Sequence, residues 1–353
     1  MRVPALVLVP GALLHEAGRI AHALIRGGER FRVCAVVDPD CDEGDAGSLL
    51  DGKHRGMPVV ASIDEAIDES RQTPEYCIIG MATDDGRLDD ALRALVRDAL
   101  KNGLPVVNPL AQRLAEDEEI AALARAAKVE LIDLCAAPAQ LPTADPANRA
   151  SSRRLAVLGT GAAVGKHTTA RQLLKALRHA ERRAELIYTG QTGWLQGGRF
   201  GLVMDALQDT QVLPALTAVV EQCDRETRAE LVLIESHSSR HAIDDGELAR
   251  AAGAAAAILQ HSPNAGKARP VADKLAELRA AGVQVLAVSL RARQAADAER
   301  AAREIAAQCN LPTFTDSAPQ AAALAQLVLN WLDGGDSPAN EDQSTAASTD
   351  LAD

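Results

Sequence analysis

Residues 155–169 read Leu-Ala-Val-Leu-Gly-Thr-Gly-Ala-Ala-Val-Gly-Lys-His-Thr-Thr. A short apolar run leads into a glycine-rich loop, then into Gly165-Lys166, two threonines and an amphipathic segment rich in alanine, leucine and arginine. This order predicts a strand, a phosphate-binding loop and a helix. Glycines let several backbone N–H groups point at one anion, and the helix N-terminus adds partial positive charge. Because Lys166 supplies a full charge at the same place, the stretch predicts a P-loop.

The loop departs from the strict G-x-x-x-x-G-K-[ST] pattern at two positions. The first glycine would fall at Thr160, but glycines stand on either side of that residue instead. His167 follows Lys166 where the pattern has Ser or Thr, so hydroxyls come only at the next two positions. The alternative to phosphate binding is an ordinary glycine-rich turn between a strand and a helix. The predicted phosphate-binding residues are Gly159, Thr160, Gly161, Val164, Gly165, Lys166, His167, Thr168 and Thr169.

The composition is that of an ordinary globular protein with unusually few aromatic residues. The chain has 353 residues, of which 47% are hydrophobic, 24% charged and 2% aromatic. This length suggests two domains, and their cores must consist of alanine, leucine, valine and isoleucine. A net charge of −12 disfavours a general nucleic-acid-binding protein, because phosphates would be repelled over most of the surface. A local anion pocket is compatible with that charge.

The six cysteines and the N-terminal residues indicate the cellular compartment in which the protein works. The cysteines are scattered without a C-x-x-C pair and several stand in apolar runs, which favours buried reduced thiols over disulfides. The N-terminal apolar run stops at Pro10-Gly11, is too short to span a membrane and lacks a cleavage-site pattern. We therefore expect a cytoplasmic protein without nucleic-acid or membrane partners. We also expect a homo-oligomer that acts on a small-molecule substrate.

Strand-like and helix-like segments alternate along both halves of the chain. Examples are the apolar runs 32–37 and 76–80 and the amphipathic stretch 111–127. This spacing predicts an α/β protein with two doubly wound, mostly parallel sheets, the first Rossmann-like and the second P-loop NTPase-like. The stretch 136–152 holds three prolines without periodicity and is typical of a linker. The predicted parts are a Rossmann-like domain at 1–136, a linker at 137–152, a P-loop domain at 153–333 and a disordered tail at 334–353.

The first half carries no dinucleotide fingerprint. Gly11-Ala-Leu-Leu-His, after the first predicted strand, does not match G-x-G-x-x-G. Asp38 follows the strand 32–37 and precedes a proline, so a turn-forming aspartate is favoured over a contact with a ribose hydroxyl.

Polar residues at the predicted strand ends of the second half are the candidates for chemistry, because ligands of open parallel sheets bind beyond the carboxyl ends of the strands. Glu235 follows the apolar run 231–234 and, with Thr168, forms the predicted Mg²⁺ site. The alternative is a solvated acid at the end of the strand. His237 is a candidate general base, and His237 and Glu235 are the predicted catalytic residues. The predicted substrate-binding residues are Thr189, Gln191, Thr192, Arg199, Ser236 and His261.

The run from Gly159 to Lys166 has the spacing of the G-T-x-x-x-V-G-K loop of dethiobiotin synthetases. Together with residues 189–193 and the N-terminal half, it resembles a two-domain family with a Rossmann-like N-domain and a dethiobiotin-synthetase-like P-loop C-domain. That family is linked to N-acetylation of D-glutamate, so the resemblance implies an N-acyltransferase of amino-acid metabolism. The chain departs from the family where Gly161-Ala162 replace Asp-Cys, where residues 236–239 replace Gly-Gln-Gly-Ser, and where Arg291 replaces an Asn.

Three functions remain open from the sequence. The resemblance implies N-acyl transfer to an amino acid such as D-glutamate, with acetyl-CoA as the donor. An ATP- and Mg²⁺-dependent enzyme that activates a small carboxylate is the second. A nucleotide-binding regulatory protein without catalytic activity is the third. The cofactor is therefore either ATP with Mg²⁺ or acetyl-CoA.

Overall fold

The computed structural model describes residues 2–41, 43–144, 151–236, 243–254, 256–265, 268–292 and 294–334. His237, the middle of the predicted linker and nearly all of the predicted tail lie outside the described residues. The chain forms two compact units. The first comprises Met1–Ala139, Gly190–Gly198 and Asp205–Leu207, and the second comprises Gln140–Thr189, Arg199–Met204 and Gln208–Asp353.

Within the described residues, the first unit is built on one sheet of seven strands. The strands are β1 (Val3–Leu8), β2 (Phe31–Val37), β3 (Gly44–Asp45), β4 (Pro58–Val60), β5 (Tyr76–Ile79), β6 (Val106–Asn108) and β7 (Leu131–Asp133). Their order is β3-β4-β2-β1-β5-β6-β7, and every neighbouring pair is parallel except β3 with β4. The helices of this part are α1 (Arg19–Ile25), α2 (Ala46–Asp51), α3 (Ile63–Glu69), α4 (Asp90–Lys101) and α5 (Glu118–Ala127).

The central strands of this sheet are apolar on both faces. Residues 5–8 of β1 are fully buried, as expected of a parallel strand covered by helices on both sides. The helix predicted over 111–127 begins only at Glu118. Its start is fixed by Asp117, whose side chain accepts a hydrogen bond from the backbone N–H of Ile120 and so caps the helix.

In its described residues, the second unit contains another sheet of seven strands, all parallel. The strands are β8 (Arg153–Gly159), β9 (Ala184–Tyr188), β10 (Phe200–Gly201), β11 (Leu231–Glu235), β12 (Ala256–His261), β13 (Gln284–Leu290) and β14 (Thr313–Thr315). The order is β10-β9-β11-β8-β12-β13-β14. The remaining helices are α6 (Lys166–His179), α7 (Gln191–Leu195), α8 (Asp209–Thr227), α9 (Asp245–Ala251), α10 (Val271–Ala280), α11 (Ala295–Cys309) and α12 (Ala318–Leu332). The predicted fold class, two mostly parallel α/β sheets, is confirmed.

Strand β8 is the central strand of the second sheet and leads into the glycine-rich loop. Its neighbours β11 and β12 bring Glu235 level with Val157 and Gln260 level with Gly159. The chain leaves β8 toward β9 on one side and reaches β12 later on the other. This is the type of switch point where open α/β sheets bind ligands.

The segment after β9 is rich in glycine, yet its first part is the short helix α7, which groups with the first unit. The Arg30 guanidinium lies 4.1 Å from the centre of the Trp194 ring, and the Gln196 amide donates hydrogen bonds to the carbonyls of Ala23 and Gly27. Trp194 is partly buried against the core of the first unit, and these contacts anchor α7 there. No helix in the described ranges is long and apolar enough to cross a membrane.

Candidate phosphate-binding site

Two glycines shape the loop between β8 and α6. A Cβ atom at Gly159 would lie 2.8 Å from Cδ of Lys166 and 3.0 Å from Cγ2 of Val164, so a side chain is excluded there. Gly165 has a φ of +109° and is the N-cap of α6. Only glycine adopts this conformation readily, and it directs the first N–H groups of the helix toward the loop. The backbone has the form that the glycine-rich pattern predicts.

Lys166 is the charged centre of the loop. Its side chain lies over Gly159, the residue is 8% exposed, and its ammonium donates a hydrogen bond to the carbonyl of Gly161 at 2.9 Å. Burial lowers the pKa of Lys166, while the carboxylates of Asp245 and Glu235 act in the opposite direction. A buried ammonium at a helix N-terminus is suited to a phosphate, whose charge offsets the loss of hydration.

The three residues after Lys166 each have a defined partner. His167 Nδ1 lies 2.6 Å from Oε2 of Glu235. The hydroxyl of Thr168 accepts a hydrogen bond from Nη1 of Arg291 at 3.1 Å. The hydroxyl of Thr169 donates to the Gln260 side-chain oxygen at 2.6 Å. The polar groups of the first helical turn are thus held in place by β11, β12 and the end of β13.

Gln260 and His261, at the carboxyl end of β12, support the loop from the other side. The Gln260 amide donates to the carbonyl of Val164 at 3.1 Å, and its backbone carbonyl accepts from Thr160. His261 Nδ1 lies 2.8 Å from the Thr160 hydroxyl, and burial lowers the pKa of His261, which keeps the ring neutral at neutral pH. Sequence reasoning missed Gln260. Its place at the carboxyl end of the apolar run 256–259 was the only signal in the sequence.

A charged group next to Lys166 was also missed. The ammonium of Lys274 lies 2.9 Å from Asp245 and 2.5 Å from Glu277, and its side chain is 8% exposed. Glu277 also pairs with Arg269 at 2.6 Å. Asp245 begins α9 and Lys274 lies on α10, elements separated along the chain, so no local pattern predicts their approach.

Two of the predicted substrate-binding residues lie beside Glu235. The buried Thr189 hydroxyl donates a hydrogen bond to the backbone carbonyl of Glu235 at 2.7 Å. Ser236 is buried, and its N–H donates to Val157 of β8. Both residues hold the end of β11 in place. With His261 beside Thr160, the structure brings these predicted residues to the same end of the sheet.

The other predicted substrate-binding residues have different partners. Gln191 and Thr192 belong to the first unit, where the Gln191 amide donates to the carboxylate of Asp205 at 2.9 Å. The exposed Arg199 pairs with Glu226 at 3.0 Å. Their part in binding a substrate stays a prediction, as does that of His237.

The observed contacts do not match the predicted Mg²⁺ site. Mg²⁺ takes oxygen ligands in octahedral geometry. Here the residue after Lys166 offers an imidazole, Glu235 is paired with that imidazole, and the Thr168 hydroxyl is held by Arg291. An imidazole favours transition metals over magnesium. The donor set of this chain therefore does not fit Mg²⁺ as it stands.

In the first unit, Asp38 stabilises the loop after β1. Its buried carboxylate accepts hydrogen bonds from the backbone N–H groups of Gly11 at 2.7 Å and Leu13 at 3.1 Å. It also accepts one from the N–H of Asp40 at 3.2 Å. These contacts agree with the turn-forming role that the sequence favours.

Comparison with known families finds matches in two parts of the chain. Residues 141–324 match a family described as "Domain of unknown function (DUF1611_C) P-loop domain". The chain belongs to the DUF1611 family. Residues 39–136 match the companion DUF1611_N Rossmann-like domain. A crystal structure of a DUF1611 family protein from Anabaena variabilis shares the fold, with a TM-score of 0.79 and 24% identity over 93% of this chain and 100% of that one.

Two curated relatives are named D-glutamate N-acetyltransferase. The protein from a Pseudoalteromonas species is 28% identical over 130 residues, and that from Tritonibacter scottomollicae is 32% identical over 130 residues. Each match spans 37% of this chain. The chain covers 39% and 38% of the length of these relatives.

Proposed function

We propose that this DUF1611 protein transfers an acetyl group from acetyl-CoA to the amino group of an amino acid such as D-glutamate. The observation that carries the proposal is the closed loop around Lys166, which is buried over Gly159 beside the N-terminus of α6. That loop is suited to a diphosphate such as the one in coenzyme A. The matching segment of the two relatives named D-glutamate N-acetyltransferase supports the reaction and the acceptor.

The site offers groups for both reactants. Lys166 and the first turn of α6 bind phosphate oxygens of the donor. Next to Lys166, Lys274 and Arg269 pair with the carboxylates of Asp245 and Glu277, so this cluster holds two positive and two negative charges. The mixed charge favours a zwitterionic acceptor over a purely anionic one.

The chemistry requires a base for the acceptor. The ammonium group of the amino acid loses a proton to the carboxylate of Glu235, and the resulting amine attacks the thioester carbonyl. The new C–N bond forms as the C–S bond breaks, and the sulfur leaves as the thiol of coenzyme A after taking up one proton. The net reaction releases one further proton. Thr189 and Ser236 fix the backbone at Glu235 and so hold this carboxylate in place.

The test is an assay of thiol release from acetyl-CoA with D-glutamate and L-glutamate, with mass spectrometry of the product. We expect N-acetylated amino acid with the wild-type protein and at least about a tenfold loss of kcat/KM for Lys166→Ala. Glu235→Gln should lower kcat more than it raises KM. Lys175→Ala is the matched control, because Lys175 is an exposed lysine of the same helix.

Two other results would contradict this proposal and identify a different function. Release of ADP from ATP in the presence of Mg²⁺ and a small carboxylate would identify an ATP-dependent carboxylate-activating enzyme. Binding of nucleotide without any product from either donor would identify a regulatory protein.

A further inference from the structure

Two residues that approach Thr168 from different elements are connected in space. His167 stands where the strict P-loop pattern has Ser or Thr, and Arg291 follows β13. His167 engages Glu235, whereas Arg291 reaches Thr168 from the end of β13. Both residues act on the place where a divalent cation would be held. His167 offers no oxygen ligand, and Arg291 adds a fixed positive charge.

Arg291 is positioned against the phosphate-binding loop by several contacts. Its backbone N–H donates to the carbonyl of His261 at 3.0 Å, and its Nη1 donates to Thr168. A Cβ atom at Gly165 would lie 3.2 Å from Cδ of Arg291, so the arginine stem runs past the N-cap of α6. The guanidinium is therefore held at the helix end where an anion binds.

The Arg291 guanidinium can exchange a weak ion pair for a ligand. Its Nε lies 3.6 Å from Asp316 in an ion pair whose side chains are 35% and 40% exposed. An ion pair as exposed as this contributes little stability, so exchange of Asp316 for a phosphate costs little. A guanidinium carries five N–H donors and binds phosphate in a bidentate manner.

We propose that this P-loop binds the phosphates of its ligand without a divalent cation, and that Arg291 supplies the positive charge that a metal would otherwise provide. This inference rests on the proposed function in one respect only: it takes a ligand with a nucleotide-linked diphosphate, as in coenzyme A or ADP. It assigns Arg291 as a phosphate-binding residue beside Lys166. The His167–Glu235 pair keeps the Glu235 carboxylate from a metal.

The test is calorimetric binding of ADP and of acetyl-CoA to the full chain, in EDTA and in Mg²⁺. We expect the wild-type Kd to differ less than about threefold between the two conditions, and Arg291→Asn to weaken binding at least about tenfold in both. The double variant His167→Thr with Arg291→Asn should regain affinity only with Mg²⁺, because it restores a hydroxyl ligand. Arg300→Asn is the control, since Arg300 is an exposed arginine of α11.

The outcomes separate the two proposals. Binding in EDTA together with absence of acetyl transfer contradicts the proposed function and supports this inference. Loss of wild-type binding in EDTA with recovery in Mg²⁺ overturns the inference whatever the acetyl-transfer assay gives. Arg291→Asn binding as tightly as wild type also overturns it. Thermal unfolding of each variant shows whether it is folded, and Arg291→Lys, which retains the charge, should recover part of the affinity if Arg291→Asn is unstable.

Discussion

The substitution Gly159→Ala tests whether packing of the Lys166 stem positions its charge. The new Cβ would lie 2.8 Å from Cδ of Lys166, about 1 Å closer than an ordinary carbon contact. Val164 is buried at 1% exposure and blocks the other side, so the lysine stem must move. A shift of that size breaks the 2.9 Å hydrogen bond from Lys166 to Gly161. We expect about tenfold weaker binding of ADP, equivalent to about 1.4 kcal/mol.

The same variant should also lose some stability, because overpacking of a buried site costs about 1–3 kcal/mol. Urea unfolding measures this loss, and calorimetry measures the affinity. Gly44→Ala is the matched control, since a Cβ there meets Leu49 only at 3.5 Å, an ordinary contact. The reasoning fails if Gly159→Ala binds ADP as tightly as Gly44→Ala does.

Two further predictions concern stability. Asp224→Asn should lower the free energy of unfolding by about 3–5 kcal/mol in urea titrations, because the buried Asp224 carboxylate pairs at 2.7 Å with the largely covered Arg154 guanidinium, which would lose its counter-charge. The exposed ion pair of Asp98 with Lys101 gives the comparison. Asp98→Asn should cost less than about 1 kcal/mol, and equal losses in the two variants would contradict the argument. Burial tends to raise the pKa of Asp45, but hydrogen bonds led by the Met57 N–H outweigh it and lower the pKa to about 2. The stabilisation by the Asp45 carboxylate is therefore full above its unfolded pKa of about 3.9 and is lost as the pH falls through about 2. Asp45→Asn should therefore destabilise the protein at neutral pH and lose its effect toward pH 2, and an effect independent of pH would argue against a charge-based role.

The sequence predicted the parts of the site that depend on local pattern. Gly159, Gly165 and Lys166 are close along the chain, and their residue types dictate a loop that bends back on itself and exposes N–H groups. Glu235 was accessible to sequence reasoning as well, because a polar residue after a buried parallel strand lies at the ligand-binding edge of the sheet.

The partners of these residues were not predictable in the same way. Gln260, Arg291 and the Asp245–Lys274 pair come from strands and helices far along the chain, and only strand order decides which of them meet the loop. The glycine-rich segment after β9 shows the same limit, because its short helix α7 packs in the first unit, which its local sequence does not indicate.

By itself, the sequence determined the α/β class, the alternation of strands and helices, and the position of the P-loop. These follow from hydrophobic periodicity and from the conformational freedom of glycine, which act over a few neighbouring residues. The tertiary structure alone decided that His167 pairs with Glu235 and that Arg291 reaches Thr168. Such contacts depend on the order of parallel strands in the sheet, which long-range packing selects and no short stretch of sequence encodes.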